Sequence, residues 1–386
     1  MVYKNSTFLK WFVGFTDAEG NFNISLRNRN NNQYTTCLLT FQIGLHIDDL
    51  SILKLIKSQL NCGHISIYKD KCNFFVNDSF SLINIIIPLF NDFPLNTSKY
   101  YQFLIFEKAV SLLNNKQHLT SQGRLHMLQY YFEMQDFFSQ KSFPLPKHFY
   151  ISPSWLCGFT EGDGCFSTNK NIPRLRFEND IKEYNVLNEI NLYFNNIGNL
   201  SISKRYRKNK ESFVVLEFNQ ISFLKNIIIE LYKNNHLYSK KIKDFHDWSI
   251  IVDINYFGYH LLPLGDEIIK LIKSQMNNFR LSSNLHKSAR SANSFETISN
   301  EISLKLKKLY LLDSPYEIKE NFRYIRNTNK LVPQKISLMV INDDKKSYFK
   351  SIGRCSARLK ISRQMIKKSL TTGIPYKGLK FVIMSY

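Results

Sequence analysis

Phe22, Ile24 and Leu26 alternate with Asn23, Ser25 and Arg27, and further on Leu39, Phe41 and Ile43 alternate with Thr40, Gln42 and Gly44. A period of two puts one face of each stretch in a core and the other in water, so both are predicted as half-buried strands. Leu53, Ile56 and Leu60 then recur at helical spacing, Asn61 and Gly63 break the pattern, and His64 to Ile67 resumes as a strand. The series returns as Leu187, Ile190, Phe194 and Asn195, followed by Gly198 and a strand to Ile202. Another landmark, Ser98-Lys99 with Phe103 and Phe106, is matched by Lys240-Lys241 with Phe245 and Trp248, 142 positions on from Lys99 to Lys241. Landmarks in the same order at nearly constant offset indicate a duplicated unit. Each unit is predicted as helix, hairpin, helix, hairpin, helix, with the outer sheet face carrying Asn, Ser, Thr, Gln and Arg.

The closest repetition lies at the start of each unit. Trp11-Phe-Val-Gly-Phe-Thr-Asp-Ala-Glu-Gly-Asn-Phe22 returns without gaps as Trp155-Leu-Cys-Gly-Phe-Thr-Glu-Gly-Asp-Gly-Cys-Phe166, 144 positions later. Gly14 and Ala18, like Gly158 and Gly162, are spaced i, i+4, so small residues line one helix face and suit two backbones packing closely. Gly20 and Gly164 are expected to stop each helix in a left-handed turn. Glu19 and Asp163 would then emerge side by side at one end of the pair, where helix dipoles and mutual repulsion both disfavour carboxylates. A single acid there is ordinarily a solvated turn. Duplication of the arrangement argues instead for a cation between the two, and hard carboxylate oxygens suit Mg²⁺ facing phosphate. Asp17 and Glu161, further in, are expected to be structural.

Phe12-Val-Gly-Phe-Thr-Asp-Ala-Glu-Gly20 and Leu156-Cys-Gly-Phe-Thr-Glu-Gly-Asp-Gly164 together resemble the paired signature of the LAGLIDADG endonucleases. The resemblance implies an α+β fold of two pseudo-symmetric αββαββα halves forming a DNA-binding saddle. It implies metal held at Glu19 and Asp163, with Ala18 and Gly162 counted in the same site, and one basic residue per half near the scissile phosphates. The matching positions are Lys99 and Lys241, with Lys240 a competitor for the second. The activity implied is metal-dependent double-strand DNA cleavage by a monomer. An RNA-splicing role on a group I intron, or nucleic-acid binding without cleavage, stays open as the alternative.

The outer sheet faces and basic stretches nominate the DNA contacts: Asn21, Asn23, Ser25, Arg27, Arg29, Thr40 and Gln42 in the first half, Arg174 and Arg176 in the second. The basic hairpin Lys204, Arg205, Arg207, Lys208 and Lys210 adds phosphate contacts. Gly164 to Phe177 is shorter than Gly20 to Phe41, and Glu178 and Asp180 share parity with Arg174 and Arg176, which predicts weaker base reading in the second half. Residues from Tyr259 resemble the family's closing helix, with Lys270, Lys273 and Arg280 available to phosphates.

Charge adds a further region. The formal net charge is +21, which points to a polyanionic partner. Residues 1–263 hold 28 Lys and Arg against 22 acids, while 264–386 hold 24 against 9. Residues 281–332 read as a polar linker with short helices. Beyond them, strands at Ile336–Ile341 and Leu379–Met384 bracket two short helices, with Ser362 capping the second and Ile366 and Leu370 facing its core. This resembles the modular helix-turn-helix domains appended to homing endonucleases, with Arg363, Gln364, Lys367 and Lys368 on the recognition helix. The expected domains are 1–145, 146–280, 281–332 and 333–386. Six cysteines with no C-x-x-C pair and no His at metal-ligand spacing indicate neither a zinc site nor a disulfide framework. The longest apolar run, Ile83–Phe90, contains Pro88 and is too short to cross a membrane. With no secretory or transit pattern at the start, a soluble chain is expected, and its Asn, Lys, Ile, Phe and Tyr usage suggests AT-rich coding, as in an organelle such as the mitochondrion, with a bacterial source equally consistent.

Overall fold

The computed structural model describes residues 6–27, 34, 36–204, 212–277, 292–319, 322–328, 330–333, 336–343 and 345–384. The first motif forms helix α1 (Ser6–Glu19), which runs into the hairpin β1 (Gly20–Arg27) and β2 (Thr36–His46). Helix α2 (Leu50–Leu60) and the hairpin β3 (His64–Tyr68) and β4 (Lys71–Val76) complete a four-stranded antiparallel sheet, ordered β1-β2-β4-β3. The second motif forms α7 (Pro153–Asp163), followed by β5 (Gly164–Asn169), β6 (Ile172–Asp180), α8 (Tyr184–Tyr193), β7 (Asn199–Lys204) and β8 (Ser212–Phe218). Its sheet repeats the order as β5-β6-β8-β7. In β1 the predicted alternation holds: Phe22 and Ile24 are buried against the helices, while Asn23 and Ser25 stand on the other face.

Beyond the three helices foreseen per unit and the closing helix of the second, the first half carries two further helical stretches and the second half one among the described residues. The apolar run after β4 folds as α3 (Ser79–Ser81) and α4 (Ile87–Asp92), joined through a wide i→i+5 turn at Leu82–Ile86. Its counterpart is α9 (Ile221–Phe223) and α10 (Ile229–Lys233), around Leu224–Ile228. The wide turn shifts helical phase by one residue, which blurs the 3.6-residue period. The lysine landmarks then open α5 (Lys99–Asn114) and α11 (Lys241–Tyr256). Helix α6 (Ser121–Ser139) closes the first half and α12 (Pro263–Lys273) the second.

Helices α1 and α7 cross at van der Waals contact. A Cβ on Gly14 would stand 2.0 Å from the Trp155 carbonyl oxygen, and one on Gly158 would stand 2.0 Å from that of Trp11. A Cβ on Gly162 would meet that of Ala18 at 2.2 Å. The i, i+4 small-residue reading is therefore correct. The left-handed stop is not: Gly164 is extended at φ −82° and ψ 151°, and Gly20 begins β1. These glycines are needed for space, since a Cβ would press Thr16 Cγ2 at 2.4 Å in one half and Thr160 Cγ2 at 2.6 Å in the other.

Register sets Gly20 opposite Ile43 and Gly164 opposite Phe177, so the second hairpin is indeed the shorter, and Phe41 corresponds to Leu175. Residues 292–332 differ from the loose tether expected. Helix α13 (Ala292–Leu309) buries Ile302 and Leu309 in the main core and ties Lys305 to Glu267 of α12 at 2.8 Å. A small sheet follows, β9 (Tyr316–Lys319), β10 (Phe322–Ile325) and β11 (Lys330–Leu331), with Arg323 between the rings of Tyr256 and Tyr316.

The C-terminal region has its own core of Leu338, Val340, Cys355, Ile361, Ile366 and Phe381. It comprises β12 (Leu338–Asn342), β13 (Lys345–Phe349), α14 (Ile352–Leu359), α15 (Arg363–Thr372) and β14 (Lys380–Ile383), with sheet order β13-β12-β14. Strand β13 was not foreseen, because Lys345-Lys346-Ser347 hides its alternation. Gln220 donates to Ser337 Oγ at 3.0 Å and to the Lys350 carbonyl at 3.2 Å, and Lys350 Nζ donates to Asn199. Ile172, at the tip of the short β5–β6 hairpin, shares a cleft with Ser337, Ile383 and Met384. The C-terminal region thus stands beside the hairpin that is shortened. Among the described residues, no helix is long and apolar enough to cross a membrane.

Candidate active site

The site begins with two tryptophans. Trp155 of the second half donates its indole N–H to Asp17 of the first at 2.8 Å, and Trp11 of the first donates to Glu161 of the second at 2.5 Å. Asp17 also accepts from the backbone N–H groups of Asn96 (2.9 Å) and Thr97 (3.0 Å) and from the Thr97 hydroxyl (2.6 Å). Glu161 accepts from the Ser239 N–H at 2.5 Å. The inner acids are structural, as expected. Sequence reasoning missed that each takes a partner from the opposite half, so they lock the pseudo-dyad as well as the loop before each lysine helix. Burial raises both carboxyls above their ordinary range, and these hydrogen bonds oppose the shift.

Two residues further along, Glu19 and Asp163 reach the same end of the helix pair. A Cβ built on Gly162, adjacent to Asp163, would lie 3.4 Å from Glu19 Oε1. Burial pushes Asp163 up to about 7, and the negative charge of Glu19 adds to the rise while Lys99, Asn179 and Lys241 oppose it. Glu19 is raised too, chiefly by burial, against the pull of Lys99 and Lys241. The halves differ here. Asp163 accepts from Asn179 Nδ2 at 2.6 Å, whereas the register places Leu45 at the matching position beyond Ile43. Asn179 was not foreseen, because a lone Asn in a strand ordinarily signals only a solvated face.

Lys99 and Lys241 lie against the ends of the motif helices of their own halves. Lys99 Nζ donates to the carbonyls of Ala18 (2.6 Å) and Thr16 (3.3 Å). Lys241 Nζ donates to those of Gly164 (2.5 Å), Thr160 (3.1 Å) and Gly162 (3.3 Å). Each ammonium thus places positive charge and N–H donors against carbonyls at the negative end of a helix, and the carboxylates nearby are tolerated partly for that reason. Burial lowers both lysine pKa values, while the surrounding acids hold them up. Of the two candidates in the second half, Lys241 reaches the site. Lys240 turns away to pair with Asp49 at 2.9 Å.

Could these residues hold a divalent cation? Every donor at the helix ends is oxygen: two carboxylates, with the Ala18 and Gly162 carbonyls beside them already bonded to lysine. Among the described residues, no group of three or more His, Cys, Asp or Glu could cage a metal. Two carboxylates completed by water and phosphate oxygens suit Mg²⁺, which favours one or two protein carboxylates plus substrate phosphates. Buried carboxyls held above their ordinary range fit a site that gains when a cation arrives.

The proposed DNA-facing residues divide. Asn23 donates to Ser25 at 2.8 Å, Asn21 accepts from Gln102 at 3.2 Å, Gln42 is half-buried and Arg27 is exposed on the outer side of the first sheet. Thr40 is buried, contrary to its expected role, because its short side chain sits between Leu38 and Gln42 on the same face of an inner strand. In the second half Arg174 is paired with Glu217 at 2.8 Å and Arg176 with Glu178 at 2.6 Å, so their charge is compensated within the sheet. Arg29, Arg205, Arg207, Lys208, Lys210 and Arg280 lie outside the described residues, and Lys204 ends β7. Arg363, Gln364, Lys367 and Lys368 are exposed together on α15, capped by Ser362, whose hydroxyl accepts from the Met365 N–H at 3.3 Å.

Residues 12–110 and 156–252, one stretch in each half, match the model of the LAGLIDADG endonuclease family. "Uncharacterized mitochondrial protein RF1" of Saccharomyces cerevisiae is 26% identical over 343 residues, covering 83% of this chain and 69% of that protein. "Probable intron-encoded endonuclease 3" of Neurospora crassa is 28% identical over 286 residues, covering 67% of this chain and 52% of that protein. The chain therefore spans about half to two thirds of the length of these relatives. Among solved structures, the LAGLIDADG homing endonuclease I-GzeII in complex with its DNA target aligns with a TM-score of 0.60 at 29% identity, covering 70% of this chain and 99% of that one. The meganuclease I-SmaMI bound to uncleavable DNA aligns with a TM-score of 0.61 at 26% identity, covering 71% and 98%.

Proposed function

The chain belongs to the LAGLIDADG endonuclease family, and on that premise we propose that it is a monomeric, intron-encoded homing endonuclease that cuts both strands of a long DNA target. The observation that carries this reading is the meeting of Glu19 and Asp163 at one end of the α1–α7 pair, each half adding its own lysine. Glu19 and Asp163 hold a divalent cation such as Mg²⁺. A bound Mg²⁺ would supply Lewis-acid polarisation of the phosphoryl group and neutralise developing charge. The chain's own residues do the rest. Lys99 and Lys241 present fixed positive charge where phosphate charge accumulates, preorganised by the carbonyls they bind. Asn179 fixes the Asp163 carboxylate, and the Trp–acid locks keep the two halves in one register, so two phosphates on opposite strands meet two equivalent lysines.

The sheet faces straddle the major groove, and the halves read it unequally. Asn21, Asn23, Ser25, Arg27 and Gln42 offer base contacts on the first side. On the second, the internally paired Arg174 and Arg176 offer fewer, and the basic charge of residues 204–210 adds affinity for phosphate without reading sequence. Helices α14 and α15 extend the footprint beyond the short hairpin as a helix-turn-helix, with α15 in the groove. The gene then lies within a mitochondrial group I intron, and its target is the intronless allele.

Incubation with a plasmid carrying the uninterrupted insertion-site sequence tests this. The expected product is a linear plasmid with staggered ends in Mg²⁺ and none in EDTA; binding without cutting in Mg²⁺ would leave only a nucleic-acid-binding role. Replacing Arg363, Lys367 and Lys368 together by Ala tests the C-terminal helices. Affinity should fall by roughly ten- to a hundredfold at 150 mM salt, with a shallower dependence of log K on log salt and an unchanged cutting rate at saturation. An unaltered salt slope would remove α15 from the interface.

A further inference from the structure

Two acids outside the motifs make the same unusual connection in each half. Glu183, closing the short turn after β6, belongs to the second half, yet it accepts from the Ser98 N–H at 3.2 Å and from the Ser98 hydroxyl in the first. Asp49, closing the matching turn after β2, belongs to the first half. It accepts from the Lys240 N–H at 3.2 Å and pairs with Lys240 Nζ at 2.9 Å in the second. Ser98 and Lys240 are the residues immediately before Lys99 and Lys241. An acid at the N-terminus of a helix satisfies orphan N–H groups and complements the dipole, so each contact fixes where a lysine helix begins.

We propose that Glu183 and Asp49 are positioning residues, each aiming the reactive-site lysine of the opposite half. Within its own half, the segment before α5 is held from one side by Asp17, and the segment before α11 by Glu161. The cross-half acid holds the other side, so the segment is clamped between halves. Lys99 therefore reaches the Ala18 carbonyl, and Lys241 the Gly164 carbonyl, from starting points that depend on the partner half. The two clamps differ in kind. Glu183 is buried and meets a neutral serine, whereas Asp49 is more exposed and meets a lysine, so the second clamp is the more sensitive to salt.

The consequence is strand-specific. Loosening one clamp misplaces one lysine, and misplacement by about an ångström can cost on the order of a hundredfold in rate. This inference rests on the cleavage reading, and the experiment separates the two. Lys99→Ala and Lys241→Ala, on the plasmid target in Mg²⁺, identify the strand each lysine serves. Glu183→Gln and the milder Ser98→Ala should slow the strand slowed by Lys99→Ala, by about tenfold or more, and accumulate nicked plasmid. Asp49→Asn should slow the other strand and do so increasingly at high salt. Backbone amide exchange on the DNA-free proteins gives a readout independent of cutting. Glu183→Gln should deprotect residues 98–103 and leave 240–245 unchanged, and Asp49→Asn should do the reverse. Failure of the unaltered protein to cut would count against the endonuclease reading alone. Equal slowing of both strands, or deprotection of both segments or neither, would overturn the positioning role.

Discussion

Asp163→Asn is expected to abolish cleavage, by roughly a thousandfold or more, and to make the protein more stable above neutral pH. The loss follows from removing one of the two carboxylates proposed to hold the cation, which would contribute several kcal/mol to a phosphoryl transition state. The gain follows from the cost of keeping that carboxylate in place. Burial holds its pKa at about 7 against 3.8 in an open chain. Between those values the folded protein retains a proton that the unfolded chain has released, so stability falls as pH rises through the window, and the full cost persists above it. Asparagine does not ionise and can still accept from Asn179. The variant should therefore exceed the parent by on the order of 2–3 kcal/mol in denaturant unfolding at pH 8 without divalent cations, with the difference closing toward pH 4. Mg²⁺ should stabilise the parent and leave the variant unmoved. Glu19→Gln should lose cleavage similarly and shift stability in the same direction, since Glu19 is also raised by burial. A variant that still cuts, or one less stable than the parent at pH 8, would remove the carboxylate from the role given to it.

Much of this site is legible in the amino-acid sequence alone, for a physical reason. Close helix approach tolerates only Gly and Ala, so Gly14, Ala18, Gly158 and Gly162 are visible as spacing, and duplication makes Glu19 and Asp163 equivalent without a fold. What escaped was every interaction whose two partners are set by docking of the halves. The Trp155–Asp17 and Trp11–Glu161 bonds link residues of different repeats, and periodicity within a repeat carries no trace of them. The clamps of Asp49 and Glu183 are hidden likewise, each looking from sequence like an ordinary acid in a turn. Gly20 and Gly164 were misread because a glycine after a helix has two uses, a left-handed stop or room for a neighbour, and here Thr16 and Thr160 require the second. Helix α13 was legible and overlooked. Ile298, Ile302, Leu306 and Leu309 are spaced as one face, but Ser, Asn and Lys between them lower the mean hydropathy that marks a core element.

Gly14→Ala and Gly158→Ala should each unfold the joint between the halves, at a cost above about 3 kcal/mol. In both cases the new methyl meets a backbone carbonyl oxygen at 2.0 Å, of Trp155 or of Trp11. A helix backbone has no rotamer by which to step aside, so relief requires α1 and α7 to separate and the indole bonds to Asp17 and Glu161 to lengthen. Gly162→Ala differs in kind. Its methyl meets the Ala18 side chain at 2.2 Å and Glu19 Cγ at 3.1 Å, at the very end of the pair, so it should disturb the carboxylates and cleavage more than stability. Gly373→Ala, with φ +71° and nothing within 4 Å, should cost only the ~1 kcal/mol of a left-handed alanine and leave cutting intact. The double variant Gly14→Ala/Gly158→Ala is the sharpest case. Once one methyl has forced the helices apart, the second finds its space already open, so the double loss should fall short of the sum of the single losses by at least about 1 kcal/mol. Additive losses in denaturant unfolding would mean that the helices yield locally at each glycine, and that the two halves do not move as rigid bodies about the contact that brings Glu19 to Asp163.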